Sequence, residues 1–467
     1  MKTVNKSIKT AIFLFALVAW NMGMVNGNPV QDEKRIDEKK KQPITAFFMD
    51  YLNGKESAYN RKSSLNLSKL VDARATVWEA WKTANEGFSE QKLITFGKLD
   101  ANRSGRWQLP ADLEPRAIMP YYWGFKGENM PDEGYPLFLY THGSGPKANE
   151  WATGLKICSM FEDAPSVYFI PQIPNEGEYY RWWQRSKQFA FEKLLRLAFV
   201  SGQIDPNRVY IFGISEGGYG SQRLASFYAD YWAAAGPMAG GEPLKNAPVE
   251  NCRNIAFSLR TGALDNGFYR NKLTTYTNEE FNRLEKENPG SFIHKIELIP
   301  GMGHGIDYRP TTPWMKQYTR NPYPKKISWE NFEMDGRYRD GFYNLFVLER
   351  SNKDTKSRTR YDMTISGNTI NLDVRLVTYK AVEIDPQWGI ELKFEKTYQP
   401  ATSGKIRVYL SPELVDLNEE ITLIVNGKEV FRGKVSPEWK HLVNSCAAFF
   451  DPERLYPAAI DVDLKKM

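Results

Sequence analysis

The sequence predicts a chain in three parts: a helical N-terminal extension, a central α/β unit built on a mostly parallel sheet flanked by helices, and a C-terminal all-β sandwich. Three observations carry that reading. Short apolar runs alternate with amphipathic stretches between about 115 and 324, the pattern of crossover-connected parallel strands. Beyond about 325 the hydrophobic period drops to two, as in half-buried antiparallel strands. At 467 residues the chain is also too long for one ordinary domain.

Residues 1–27 read as a secretory signal peptide. Lys2, Lys6 and Lys9 form a positive start, Ala11–Val18 an apolar stretch too short to span a bilayer, and Val25-Asn26-Gly27 a cleavage site. No cysteine lies near the cleavage region to take a lipid anchor. Export is therefore expected, to the periplasm or beyond, with no stable membrane insertion once the segment is removed. Its loss leaves 59 of the 62 basic residues against 56 acidic ones. Such near-neutrality gives nucleic acid or anionic membrane no electrostatic purchase.

Residues 28–114 form the extension. Residues 28–42 (NPVQDEKRIDEKKKQ) are a charged run without apolar periodicity, expected to be a flexible leader. Leu65, Leu67, Leu70, Val71, Val77, Trp78 and Trp81 then recur at helical spacing.

The central unit, 115–324, begins with a buried-strand candidate, Tyr135–Thr141, that ends in His142-Gly143-Ser144-Gly145. Val167–Ile170, Val209–Phe212, Ala233–Ala239, Ile255–Leu259 and Ile296–Ile299 are further strands, and Lys187–Val200 reads as an amphipathic helix. Pro322 and Pro324 mark the linker to 325–467. There Ile370–Leu376, Ile390–Phe394, Ile406–Leu410 and Ile421–Val425 alternate apolar with polar residues, and Asn426-Gly427 signals a hairpin.

Chemistry concentrates in Gly213-Ile214-Ser215-Glu216-Gly217, which follows a strand and opens a helix. A nucleophilic hydroxyl must stand clear of the sheet on a sharp turn, and glycines two residues to either side relieve the crowding. Ser215 needs a base, and the chain offers four histidines. In the α/β-hydrolase arrangement the order is Ser, acid, His. His142 precedes Ser215, His294 opens a strand at the wrong end, and His441 falls in the β-sandwich. His304 follows the strand at 296–299 on a glycine-rich loop, which suits a ring reaching back to Ser215. Asp265, after the strand at 255–259, is the acid. Asp230 reads as a solvated mid-helix residue, and Asp307 comes after the histidine. The oxyanion would be met by the amide of Glu216 and by that of Gly143 or Ser144.

The segments THGSG (141–145), DPNRVYIFGISEGGYGS (205–221), TGALDNGFYRNKL (261–273) and PGMGHGIDY (300–308) resemble secreted bacterial α/β-hydrolases of the polyhydroxybutyrate-depolymerase-like esterase group. RNPYPKKISW (320–329) and the β-rich tail are similar to the multidomain members. The resemblance implies an α/β-hydrolase fold, carboxylic ester hydrolysis and the same Ser215, Asp265 and His304.

For substrate, Tyr179, Tyr180, Trp182 and Trp183 in NEGEYYRWWQ (175–184), with His142, are the candidate contacts. Rings exposed there would favour an acyl group on a glycan over a small-molecule ester. A prolyl-oligopeptidase-like peptidase is the enzymatic alternative, with Glu176 and Glu178 reading an amino terminus, although no propeller-length repeat precedes the catalytic region. A glycan-binding protein with a relic hydrolase unit is the other. No cofactor or metal is expected, since histidine, cysteine and acidic residues do not cluster. Cys158, Cys252 and Cys446 are too few and too scattered for a disulfide framework. The sequence sets no oligomeric state.

Overall fold

The computed structural model describes residues 35–467 apart from 353 and 355, so the expected signal peptide at 1–27 lies outside the described residues. Two helices come first, α1 (Glu38–Leu52) and α2 (Leu70–Gly87). Part of the run expected to be an unstructured leader is thus helical. Asp37 caps α1 by accepting from the Lys40 amide, and the buried face of Ile44, Phe47 and Phe48 anchors the helix against Val77 and Trp81 of α2.

An eight-stranded sheet follows, built from β1 (Ser104–Gln108), β2 (Ile118–Lys126), β3 (Tyr135–Thr141), β4 (Ser166–Pro171), β5 (Ile204–Ile214), β6 (Ala234–Met238), β7 (Ala256–Gly262) and β8 (His294–Ile299). Its spatial order is β1-β2-β4-β3-β5-β6-β7-β8. The β1–β2 and β2–β4 pairs are antiparallel and the remaining pairs parallel, the α/β-hydrolase topology. β1 comes from the stretch read as extension and joins this sheet as its edge.

The helices are α3 (Lys147–Met160), α4 (Arg185–Val200), α5 (Glu216–Phe227), α6 (Arg270–Glu287) and α7 (Thr311–Met315). Continuous apolar strands bury both faces. On β3, Leu137 and Leu139 enter one core layer with Leu194 and Leu195 of α4, while Phe138 and Tyr140 enter the other with Leu155 and Cys158 of α3.

The C-terminal region holds β9 (Lys326–Asn331), β10 (Gly341–Phe342), β11 (Leu345–Glu349), β12 (Ser357–Ser366), β13 (Thr369–Ile384), β14 (Glu391–Pro400), β15 (Lys405–Leu410), β16 (Ile421–Val425), β17 (Lys428–Gly433), helix α8 (Trp439–Phe449) and β18 (Ala458–Asp463). One sheet runs β10-β11-β15-β18. The other runs β17-β16-β13-β12-β9, with β14 paired to β13. One pair, β13–β16, is parallel, against the all-antiparallel expectation. Asn426 and Gly427 both take positive φ, 48° and 79°, as a type I′ hairpin turn requires.

His441 sits on α8, not on a strand. That helix packs through Leu442, Val443 and Cys446 against α1 and α2.

Asp230 is neither mid-helix nor solvated: it is fully buried in the turn after α5. Arg454 Nη1 lies 2.5 Å from one carboxylate oxygen and Arg339 pairs with both. Asp451 completes the cluster, accepting from Arg320 at 2.6 Å and Arg454 Nε at 2.9 Å. This ionic knot ties the eight-stranded sheet to the β-rich region, and Trp329 and Phe342 of that region share one apolar core with the sheet.

Candidate active site

The site forms where the carboxyl ends of β5, β7 and β8 meet. Ser215 ends β5 with φ 58° and ψ −115°, a strained conformation for a residue with a side chain. Its amide donates to Met238 O at 3.0 Å. The flanking glycines are enforced by the end of β3: a Cβ on Gly217 would collide with the Thr141 carbonyl, and one on Gly213 with Thr141 Oγ1 and the Gly217 carbonyl.

Two hydrogen bonds bring the three expected residues together. His304 Nε2 lies 3.0 Å from Ser215 Oγ, and His304 Nδ1 lies 2.7 Å from Asp265 Oδ2. The imidazole side chain is 45% exposed and the carboxylate only 4%. The ring therefore faces the opening while its orienting acid is sealed beneath. The Asp265 loop is pinned twice, by its amide to Gly262 O and by the Asn271 amide to its own carbonyl, both at 3.0 Å. Arg270, which the sequence reading passed over, donates from Nη1 to the other carboxylate oxygen at 2.9 Å.

Gly143 packs against Ser215, where an added Cβ would lie 3.4 Å from Ser215 Cβ and 3.2 Å from Glu150 Oε2. Ser144 beside it is exposed. Glu216 is the first residue of α5, so its amide has no intrahelical acceptor. These are the groups expected to meet an oxyanion.

The candidate substrate contacts prove to be the scaffold of that loop. Tyr180 is buried, and its hydroxyl donates to Gly143 O at 2.8 Å and accepts from the Gly145 amide at 3.3 Å. Trp182 is fully buried, donates from Nε1 to His142 O at 2.9 Å, and packs where Gly220 leaves no room for a side chain. His142 is buried too. Its Nε2 faces the Ile173 amide at 3.0 Å, so Nε2 accepts and Nδ1 carries the proton toward Gly143 O at 2.8 Å. Burial pushes its pKa down to about 4, keeping the ring neutral. None of these three presents a face to substrate. Tyr179 and Trp183 stay partly open, the latter with the Arg223 guanidinium 3.7 Å from its ring centre and Arg223 Nε paired to Glu242 at 2.7 Å. The adjacent pairs Tyr179-Tyr180 and Trp182-Trp183 carry no periodicity that tells which rings turn inward.

The side chain of Glu216 was missed because only its amide entered the motif. Burial pushes its carboxyl up to about 7. Oε2 lies 3.5 Å from Arg181 Nη1, whereas Oε1 is buried without a partner among the described residues. The Tyr219 hydroxyl and Arg270 Nε are likewise buried and unpartnered there. Among the described residues, no group of three or more histidine, cysteine or acidic side chains is arranged to hold a metal ion. The three cysteines are buried and free.

No family description matches the chain, and no curated protein matches it in sequence. Among solved structures it is similar to a thermostable esterase, at 20% identity and a TM-score of 0.36 over 46% of this chain and 63% of that one. It is also similar to a ferulic acid esterase from Anaeromyces mucronatus, at 13% identity and a TM-score of 0.32 over 50% of this chain and 93% of the other. An S-formylglutathione hydrolase from Agrobacterium tumefaciens aligns at 15% identity and a TM-score of 0.33, over 46% and 91% of the respective chains. The chain thus spans less than two thirds of the thermostable esterase.

Proposed function

We propose that this protein is a serine hydrolase that cleaves carboxylic esters through an acyl-enzyme. The observation that carries the reading is the unbroken hydrogen-bonded line from Ser215 Oγ through His304 to Asp265. In the acylation step Ser215 Oγ attacks the ester carbonyl carbon while His304 Nε2 takes its proton. The carbonyl oxygen becomes an oxyanion, met by the Glu216 amide and an amide of the Gly143–Ser144 loop. Asp265 keeps Nδ1 protonated and stabilises the imidazolium. As the tetrahedral adduct collapses, the alkoxide leaves with the proton from Nε2. Water then attacks the acyl-serine with His304 again as base, releasing the acid and restoring Ser215.

Peptide cleavage is less well supported. Glu176, a candidate for reading an amino terminus, accepts from the Lys147 amide at the start of α3 at 2.8 Å, and Glu178 is exposed. The basic, apolar and polar run at residues 1–27 supports export as part of the same reading.

The test is fluorophosphonate labelling of the mature protein and of Ser215→Ala, with p-nitrophenyl acetate and an Ala-Pro p-nitroanilide as parallel substrates. Labelling and acetate turnover lost together in Ser215→Ala, with no anilide cleavage, would support the ester reading. Folded wild-type protein that neither labels nor turns over ester would end it.

A further inference from the structure

The β13–β14 hairpin of the C-terminal region reaches across to the catalytic loops and lies against the start of α6. The Tyr269 hydroxyl donates to Asp385 Oδ1 at 2.5 Å, the Tyr276 hydroxyl to Glu383 Oε2 at 2.6 Å, and Lys272 pairs with the same Glu383. At the hairpin tip Trp388 tilts against Phe268, with ring centres 5.6 Å apart and planes at 48°.

Phe268 belongs to the loop that carries Asp265. The Arg270 guanidinium lies 5.4 Å from the Phe268 ring centre while holding the Asp265 carboxylate. A continuous line of contacts therefore runs from Ser215 through His304, Asp265, Arg270 and Phe268 to a tryptophan contributed by the other region.

Three features mark this line as a binding surface. Trp388 and Phe268 are 58% and 50% exposed, unusual for rings that already touch one another. Exposed apolar surface of this kind, bordered by polar groups, is characteristic of interaction sites. Phe268 and Tyr269 are consecutive non-glycine residues at φ 51° and 60°, so the backbone accepts strain to hold the loop in this form. Closer to the nucleophile, Glu216 Oε1, the Tyr219 hydroxyl and Arg270 Nε are buried without partners among the described residues, and an unmet buried polar atom is costly.

We infer that Phe268 and Trp388 form an outer subsite that stacks a pyranose ring of an acylated oligosaccharide, with the ester bond delivered to Ser215. The inference rests on the ester-hydrolase reading and names its substrate class. A sugar ring offers what the surface asks for: a C–H face for the aromatic pair and a hydroxyl rim for the Tyr269, Asp385, Lys272 and Glu383 groups that border it. It moves the aromatic contact from the 175–184 loop, where Tyr180 and Trp182 are buried and Tyr179 and Trp183 only partly open, to a place that both regions build.

The experiment uses Ser215→Ala and Ser215→Ala/Trp388→Ala, titrated by calorimetry with acetylated xylo-, manno- and gluco-oligosaccharides. Binding of at least one probe is expected, weakened about tenfold or more without Trp388. Phe268→Ala in the same background should give a similar loss. In the active enzyme, Trp388→Ala should lower kcat/KM for the acetylated oligosaccharide that binds by about tenfold or more, a larger loss than for p-nitrophenyl acetate. Failure of all three probes to bind Ser215→Ala, or equal binding by the double variant, would overturn the subsite. Failure of the hydrolase reading shows separately, as absent acetate turnover and absent fluorophosphonate labelling in the wild type.

Discussion

Arg270 and His304 hold opposite oxygens of one carboxylate. Arg270 Nη1 donates to Asp265 Oδ1 at 2.9 Å, and His304 Nδ1 meets Asp265 Oδ2 at 2.7 Å. Because the carboxylate is buried, its orientation is set by these two donors and by the loop hydrogen bonds beneath it. In the proposed ester hydrolysis Arg270 would act through Asp265, as a positioning residue. Arg270→Met is expected to lower kcat for p-nitrophenyl acetate by on the order of 10- to 100-fold, since small misplacements of a catalytic group carry losses of that size. KM should stay within about threefold, and the fluorophosphonate labelling rate should fall in parallel with kcat. A labelling rate equal to wild type would show that His304 and the loop suffice to hold Asp265.

Tyr180 governs the loop opposite the nucleophile. Its hydroxyl satisfies both the carbonyl of Gly143 and the amide of Gly145. Tyr180→Phe removes that oxygen and keeps the ring packing. The unmet groups should destabilise the fold by about 1–3 kcal/mol, and a loosened oxyanion loop should lower kcat more than it raises KM. Urea denaturation together with steady-state kinetics checks both, and an unchanged kcat would separate the loop from the oxyanion site.

Glu216 predicts a pH dependence of stability. Burial pushes its carboxyl from 4.5 up to about 7 in the folded state. Between those values the folded protein keeps a proton that the unfolded chain has lost, so the contribution of this group to stability falls as pH rises from about 4.5 to 7. Glu216→Gln cannot ionise. Its ion pair with Arg181, at 3.5 Å and to a half-exposed guanidinium, is a small loss. The melting temperature of Glu216→Gln relative to wild type should therefore rise between pH 5 and pH 8. A constant difference across that range would mean that the carboxyl is not held neutral by its surroundings.

Asp230 predicts where the two regions are joined. Although burial opposes its ionised form, the guanidiniums of Arg339 and Arg454 hold its pKa below the ordinary 3.8. Its stabilising contribution is complete above that value and is lost only as pH falls below it. Asp230→Ala leaves Arg339 and Arg454 buried beside an empty position, and should cost about 3–5 kcal/mol. Denaturant unfolding near pH 7 measures the loss. A variant as stable as wild type would show that Asp451 alone balances the cluster.

The sequence by itself singled out Ser215, Asp265 and His304 and the strands that carry them. Both are written locally. Gly213-Ile214-Ser215-Glu216-Gly217 encodes its own turn, Asp265 and His304 follow their strands by a few residues, and Tyr135–Thr141 shows its double burial as an uninterrupted apolar run. The Asn426-Gly427 turn is likewise set by two adjacent residues.

Only the tertiary structure decided what the remaining polar and aromatic residues do, because their partners lie far away in the chain. Tyr180, Trp182 and His142 read as substrate contacts from composition, yet they are buried props, since residues of β3 and of the loop before α4 converge on one layer. Asp230 resembles a surface residue until Arg339 and Arg454 close over it. Glu216 shows its side-chain character only where burial by its neighbours withholds water from it. The meeting of Trp388 with Phe268 depends on how the β13–β14 hairpin leaves its sheet and packs on α6, and no local pattern of period two or 3.6 carries that information.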